Sequence, residues 1–564
     1  MSNRQRRRQQ KHRRHREPSR PHPSLPGKRQ LAAAGGIALA AGLATGPPSA
    51  EAATFTVVNT NNAGAGSLRD ALLQANASQD ADTIVFASGL TGTIHLGSTL
   101  NIYYATDIQG PGADKITVSG GNSVRDFNAG CIFCPTFPIT ISGLTIADGR
   151  AVQGGGIAQL IANLTVSDCV ITGNTAFGTT SVNGSGGGIY DPNGSLTVKD
   201  SIVTGNTAEQ NAPYGGYGGG IFVSGNALSI QDSTLSGNHA DNAGGAVEIV
   251  YNGPTLIEDT TVSGNSASGS SPTNGNGGGI EVIGQHADVS INNSTLFGNQ
   301  ARYGGGLFAS QPEGHQLTVR GSTIAGNSAT ISGGGGFRPP AATAPQLLDT
   351  IIGQNSGPTA PDLSGTFDGA FSLIQNPAGA AINETVPGSN ITGADPQLGP
   401  LANNGGPTAT MALTATSPAV DKGSSFGLAA DQRGVLRPID FPAIADSGAA
   451  GADGADIGAF ELQPSNAFKL GKLRKNKQKG TAKLTVKLPL PDAGKLTLFG
   501  KGLKRKRKAV KGKKAVKLLV ATKGKARKRL LLEGTRKVKI RVKYAPTGNS
   551  PKTKKRRAKL IKRR

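Results

Sequence analysis

The chain has 564 residues and a formal net charge of +25, yet it holds 82 glycines, no tryptophan and only 4% aromatic residues. So few large side chains exclude a conventional thick globular core, and glycine clustered as GGG and GN, not at every third position, excludes collagen. The charge is divided: residues 1–30 carry 11 Lys and Arg against Glu17, residues 465–564 carry 38 against Asp492 and Glu533, and the body between holds 11 against 32 acids. An acidic body between two basic ends points to a polyanionic partner.

In chain order, the first element is a leader. Residues 31–45, LAAAGGIALAAGLAT, form an uncharged apolar run directly after Lys28 and Arg29. Ala50 and Ala52 then supply the small-x-small pattern that a signal peptidase needs. Residues 1–52 are therefore expected to be a basic leader and signal peptide, with the mature protein secreted or held at the cell surface. The run is too short and too rich in glycine to span a bilayer, so the mature chain is expected to lack a transmembrane segment.

Residues 53–140 read as a cap and first coils, with strands in ATFTVVNT, DTIVFA, GTIHL and KITVSG. Between the first two lies one short helix, SLRDALLQANA (67–77), with Leu68, Ala71, Leu72 and Ala75 on one face and Ser67 placed as its cap. Such a helix would cover an otherwise open strand edge.

From residue 141 to residue 394 a unit recurs, x-S-T-[IVL]-x-G-N: DCVITGN (168–174), DSIVTGN (200–206), DSTLSGN (232–238), DTTVSGN (259–265), NSTLFGN (293–299), GSTIAGN (321–327) and DTIIGQN (349–355). Its last residues, Asn174, Asn206, Asn238, Asn265, Asn299, Asn327 and Asn355, lie 27 to 34 apart. A GGG[IFL] run keeps phase with it, ending at Gly156, Gly188, Gly220, Gly279 and Gly306, with Gly244 and Gly245 standing in once. Stretches such as SLTVKDSIV alternate with the two-residue period of strands, and no unit has a helical stripe. The expected fold is thus all-β: a right-handed parallel β-helix of two or three short strands per coil, stacked at about 4.8 Å.

Inside such coils Ile171, Val203, Val262 and Ile324 should form ladders. Each GN asparagine is expected at a tight corner with left-handed dihedrals, bonding its neighbours along the stack. Asp168, Asp200, Asp232 and Asp259 recur at one coil position. Carboxylates about 5 Å apart repel, so they are expected to be held by backbone donors, with a calcium-binding stripe as the alternative; no other metal or cofactor is expected. The insertions at 176–185 and 266–276 precede the glycine run and emerge along one edge, the expected place for a glycan or protein ligand.

Cys131 and Cys134 form a CxxC suited to a tight disulfide, although either can also be drawn to Cys169; Cys169 itself aligns with Ser201 and Ser233 as a small residue inside a coil. His239, His286 and His315 match no metal-ligand spacing. Between residues 151 and 340 only Lys199, Arg302, Arg320 and Arg338 are basic, a poor supply for a polysaccharide lyase, which needs a base beside clustered acids.

The opening FTVVNTNNAGAGSLRDALLQAN with DADTIVF, followed by the STxxGN coils, resembles secreted parallel β-helix proteins related to polymorphic outer-membrane proteins. DPQLGPLANNGGPTATMALTATSPAVDKG (395–423), DQRGVLRP (431–438) and ADIGAFE (455–461) are similar to the end region called the choice-of-anchor Q domain. The resemblance implies a surface-exposed or secreted β-helix whose residues 395–464 complete the stack. The lysine-rich region that follows resembles a C-terminal module of actinobacterial secreted proteins.

In that region TAKLTVKLP (481–489), GKLTLFG (494–500), KAVKLLV (514–520) and RKVKIRVKY (536–544) alternate apolar and basic residues. A small basic β-sandwich is expected over 465–550 and a disordered cationic tail over 551–564. Lys537, Lys539, Arg541 and Lys543 should share its outer face, opposite Val538, Ile540, Val542 and Tyr544. No zinc-finger, helix-turn-helix or aromatic RNA-binding pattern accompanies the charge, so anionic cell-wall polymer, acidic polysaccharide or phospholipid is the expected partner, with extracellular nucleic acid compatible. The expectation is a monomeric, non-enzymatic, adhesin-like surface protein; the alternative is a lyase or hydrolase acting on an acidic glycan.

Overall fold

The computed structural model describes residues 52–563, apart from 132–134, 211–214, 251–252, 270–273, 285–287, 443, 489–493, 511–514 and 547–550. The leader and signal sequence expected over 1–52 lie outside the described residues, save Ala52. After a first strand, Thr54–Val57, comes helix α1, Leu68–Ala75, which buries Leu68, Ala71, Leu72 and Ala75. Ser67 Oγ accepts the Asp70 amide at 3.2 Å, which satisfies one orphan donor of the first turn, and Asp70 Oδ2 accepts the amide of Gly66, just before the cap, at 3.0 Å. No described helix is long and apolar enough to cross a membrane.

Residues 54–364 form a parallel β-solenoid of about 11 turns. One coil runs through Asn163–Ser167, Val170–Thr172, Thr175–Phe177 and Ile189–Asp191 before Ser195–Lys199 begins the next. That is four short strands, more than the two or three expected. The third, as short as two residues in some coils, follows the Gly-Asn corner, and the insertions separate it from the fourth. Strands pair in parallel with the coil above, so Val166 faces Val198, Ile171 faces Val203, Ala176 faces Ala208 and Ile189 faces Ile221. The expected ladder is present: Ile171, Val203, Leu235, Val262, Leu296 and Ile324 all belong to one buried core. A rod of this many turns is roughly 50 Å long at the inter-strand step.

Residues 395–464 do not complete the stack. Leu398–Ala402 and Thr410–Leu413 form an antiparallel pair, and the chain then doubles back along the outside of the solenoid as a strap. Thr408 Oγ1 donates to the Asp259 carbonyl at 2.8 Å, Asn293 Nδ2 to Ala430 O at 3.1 Å, and Thr295 Oγ1 to Gln432 Oε1 at 2.5 Å. The outward row Thr261, Thr295, Thr323 and Ile351 is buried beneath it, whereas Ile202, earlier in the same row, is 44% exposed. A second apolar cluster, including Ile351, Leu413, Val420, Phe441 and Ile457, joins strap to rod. The strap covers the flank because that flank offers threonine hydroxyls and an apolar Ile351, which a further coil would leave in water.

The basic region folds into two small antiparallel sheets: Lys469–Asn476, Thr481–Lys487 and Ala515–Val520; and Lys506–Val510, Gly494–Phe499, Thr535–Pro546 and Lys552–Ile561. Leu484, Val486, Leu496, Leu498, Val516, Leu518, Ile540, Val542 and Tyr544 share one buried cluster between them. Two elements depart from expectation. Helix α2, Gly524–Glu533, occupies a stretch between two expected strands for which no element was expected, and Lys552–Ile561, within the expected disordered tail, is a ten-residue edge strand. Its register with Thr535–Pro546 turns Leu560 inward, which gives the strand an apolar anchor despite its charge.

Candidate functional site

The repeat asparagines are a structural spine. Asn174, Asn206, Asn238, Asn265 and Asn299 are fully buried, and the Nδ2 of each donates to the Oδ1 of the next at 2.9 Å. Asn327 continues to Asn355 at 3.0 Å, and Asn355 ends on the Asp362 carboxylate at 2.9 Å. At the other end Asn174 Oδ1 accepts the Gly149 amide at 2.8 Å. Each Nδ2 also reaches a carbonyl one coil back, as Asn238 does Val203 O at 3.0 Å. The third glycine of each run lies against this spine: a Cβ on Gly188 or Gly220 would stand 3.2 or 3.1 Å from the Asn206 or Asn238 amide carbon. That contact keeps the two sequence signals in phase.

These asparagines are not the left-handed corners. Positive φ falls on the preceding glycines, such as Gly173 (67°) and Gly205 (63°), and on the first residue of the motif: Asp168 (53°), Asp200 (48°), Asp232 (48°), Asp259 (50°), Asn293 (45°), Gly321 (55°) and Asp349 (52°). In the seven motif copies only Asp, Asn and Gly occupy this position, the residues that tolerate left-handed backbone. The aspartate ladder is thus selected by dihedral angle. No backbone donor holds the Asp168, Asp200 or Asp232 carboxylates; Asp200 instead lies 3.8 Å from Lys199 Nζ. No three of the ladder carboxylates come within 4.8 Å of one another, so they do not converge on an ion. Burial, then the charges of Glu258 and Asp232, push Asp259 up to about 7.

Cys131 is disulfide-bonded and Cys169 is free; Cys134 and His286 lie outside the described residues. Cys169 joins a hydroxyl ladder, its amide donating to Ser201 Oγ at 3.1 Å and Ser201's to Ser233 Oγ at 3.2 Å, and burial pushes its thiol up to about 12. His239 bonds Ser266 Oγ and Asp241 Oδ1 at 2.8 and 2.9 Å.

One row escaped sequence reading. The residue after the first strand position that follows each glycine run forms an outward stripe: Tyr190, Phe222, Glu248, Glu281, Phe308 and Phe337. Tyr190 stacks on Phe222 at 5.3 Å and Phe308 on Phe337 at 5.4 Å, bracketing the two glutamates. Both carboxyls are buried, and desolvation raises both pKa values, Glu248 the more strongly. Asn276 Nδ2 donates to Glu281 Oε1 at 3.1 Å, whereas neither Glu248 oxygen has a hydrogen-bond partner.

The DQRGVLRP and ADIGAFE segments clasp the strap. Arg437 is buried, donating to Asp349 Oδ2 and Glu461 Oε2 at 3.0 Å each, and to the Asp456 and Gly458 carbonyls. Burial opposes its charge, but Asp349, Glu461, Asp456 and Asp431 outweigh that and hold its pKa above the usual value. Arg433 pairs with Asp431 at 2.5 Å and lies over the Phe460 ring at 3.6 Å.

The strongest surface feature is the four-stranded sheet. Lys537, Lys539, Arg541 and Lys543 are exposed on one face, as expected. Directly opposite on the edge strand stand Lys559 against Lys537, Arg557 against Lys539 and Lys555 against Arg541. Arg507 and Lys495 extend the same face, and a concavity lined by Lys495, Phe499, Arg505, Arg507 and Lys543 opens on it. Among the described residues no ion pair involves this region. Neither a model of a known protein family nor a curated protein matches the chain.

Proposed function

We propose that the protein is a non-enzymatic β-solenoid of the cell surface or extracellular matrix, retained on an anionic polymer by the outer face of its C-terminal sheet. The observation that carries this reading is the set of three directly opposed cation pairs, Lys537–Lys559, Lys539–Arg557 and Arg541–Lys555. Like charges opposite one another destabilise a sheet, and a phosphate or carboxylate chain laid along the strands would neutralise them. The solenoid then serves as a rigid acidic spacer carrying its insertions outward.

The test is co-sedimentation of the mature chain with a polyglycerol-phosphate wall polymer at about 0.15 M salt, conditions that screen charges beyond about 8 Å. Binding that drops at least tenfold on K539Q/R541Q/R557Q supports the reading. Absence of binding, or equal binding by the variant, sinks it.

A second reading draws on the stacked rings beside Glu248 and Glu281: the solenoid flank contacts sugar rings. Cleavage of an acidic glycan by the protein, abolished in E281Q, would favour the enzyme alternative over a spacer.

A further inference from the structure

The strap holds a carboxylate cluster that the cationic sheet does not explain. Asp421 lies in a left-handed turn (φ 55°) and is fully buried. Its Oδ2 accepts the Phe441 amide at 3.0 Å, while its Oδ1 has no hydrogen-bond partner. Asp440 and Asp446 are exposed, and each brings a carboxylate oxygen within 4.8 Å of the other and of Asp421's. Among the described residues this is the one place where three such groups converge.

Among the described residues no side-chain cation pairs with them. Lys422, next in sequence to Asp421, donates to the Ala445 and Asp446 carbonyls, and none of the ion pairs of the described residues includes Asp421, Asp440 or Asp446. A buried carboxylate oxygen without a partner is costly, and such atoms in folded proteins call for an ion, a water or a proton. Oxygens on opposite sides of one calcium ion are separated by up to about 5 Å, twice the Ca–O distance, and the set here falls within that span. Magnesium demands a tighter octahedron, and zinc favours nitrogen and sulfur donors, which this cluster lacks.

We infer that Asp421, Asp440 and Asp446 bind one calcium-class divalent cation that pins Asp440 and Asp446 onto the strap. Ile439 and Asp421 are already fixed. The Ile439 amide donates to Glu461 Oε1 at 2.6 Å, and the Asp421 amide to Asp456 Oδ1 at 2.9 Å, both within the Arg437 clasp. The ion therefore ties two exposed carboxylates to a buried network, and its occupancy couples to how firmly the strap lies on the rod.

The experiment is calorimetric titration of the chelator-stripped full chain with calcium, alongside D440N/D446N and a corner-ladder control, D200N/D232N. Asp440, Asp446 and Asp200 are exposed and Asp232 is half-buried, and asparagine tolerates the left-handed backbone of the ladder, so each variant is expected to fold. The expected result is one calcium per chain at a Kd of roughly 0.1 to 1 mM, the range of extracellular modules, weakened at least tenfold in D440N/D446N and unchanged in the control. Calcium should also slow amide exchange at 439–446 in the wild-type chain. No saturable binding by the wild-type chain, binding untouched by D440N/D446N, or binding lost in the control instead would each overturn the assignment.

Discussion

Asn238 receives the Asn206 Nδ2 and backbone N–H on its Oδ1 and donates its own Nδ2 to Asn265 and Val203. Removing the amide strands several buried groups at about 1–3 kcal/mol each. N238A should therefore lose about 3 kcal/mol or more, read as a lowered urea midpoint. Asp259 makes the opposite case. Its folded pKa, near 7, stands above the unfolded value of about 4, so the native state holds the proton more tightly. Stability from this group is full at acid pH and falls as pH rises from about 4 through 7. D259N, which repeats the residue already present at Asn293, should flatten that slope in melts across pH 4–8; an unchanged slope would show that Asp259 is not its source. At this scale sequence reading found the right positions and the bonding of the asparagines along the stack, but placed the left-handed backbone on the asparagines and not on the first residue of the motif. Asp, Asn and Gly sharing one position is a dihedral signature, but the recurring charge drew attention first.

Elements were legible where period and cap agreed. Helix α1 carries both, with a four-residue apolar face and Ser67 before it. Helix α2 buries only Leu530, so GKARKRLLLE shows no stripe to find. The edge strand Lys552–Ile561 was hidden by its charge, because its single buried residue, Leu560, leaves almost no alternation. The strap's route was beyond local reading altogether, since Thr295 and Gln432 meet across 137 residues. Its attachment is testable through Arg437. R437L leaves Asp349 and Glu461 as buried charges without their partner, a defect worth about 3–5 kcal/mol. Amide exchange should speed up across 398–461 in that variant while the coils before Asp259 stay protected. Uniform loosening of the whole rod would show that the strap is not a separable unit.

For the whole molecule, the acidic rod and the cationic sheet are separate instruments, and salt distinguishes them. If the sheet contacts a single-chain phosphate polymer, affinity should fall with salt by about 0.7 log units per log unit for each contact. K539Q/R541Q/R557Q should then lower that slope by about 2, a change visible in binding isotherms between 0.05 and 0.3 M salt (about a sixfold range); an unaltered slope would place the contact elsewhere. The rod has a further consequence in its asparagine spine. Every amide in it points the same way, from Asn174 toward Asn355, and its two ends close on unlike groups, a backbone N–H at Gly149 and a carboxylate at Asp362. A whole repeat duplicated in the middle would bring its own donor and acceptor and leave both terminators untouched. Length is therefore the freely adjustable dimension of this protein, and the relatives that evolution can reach most easily are longer or shorter rods between the same two ends.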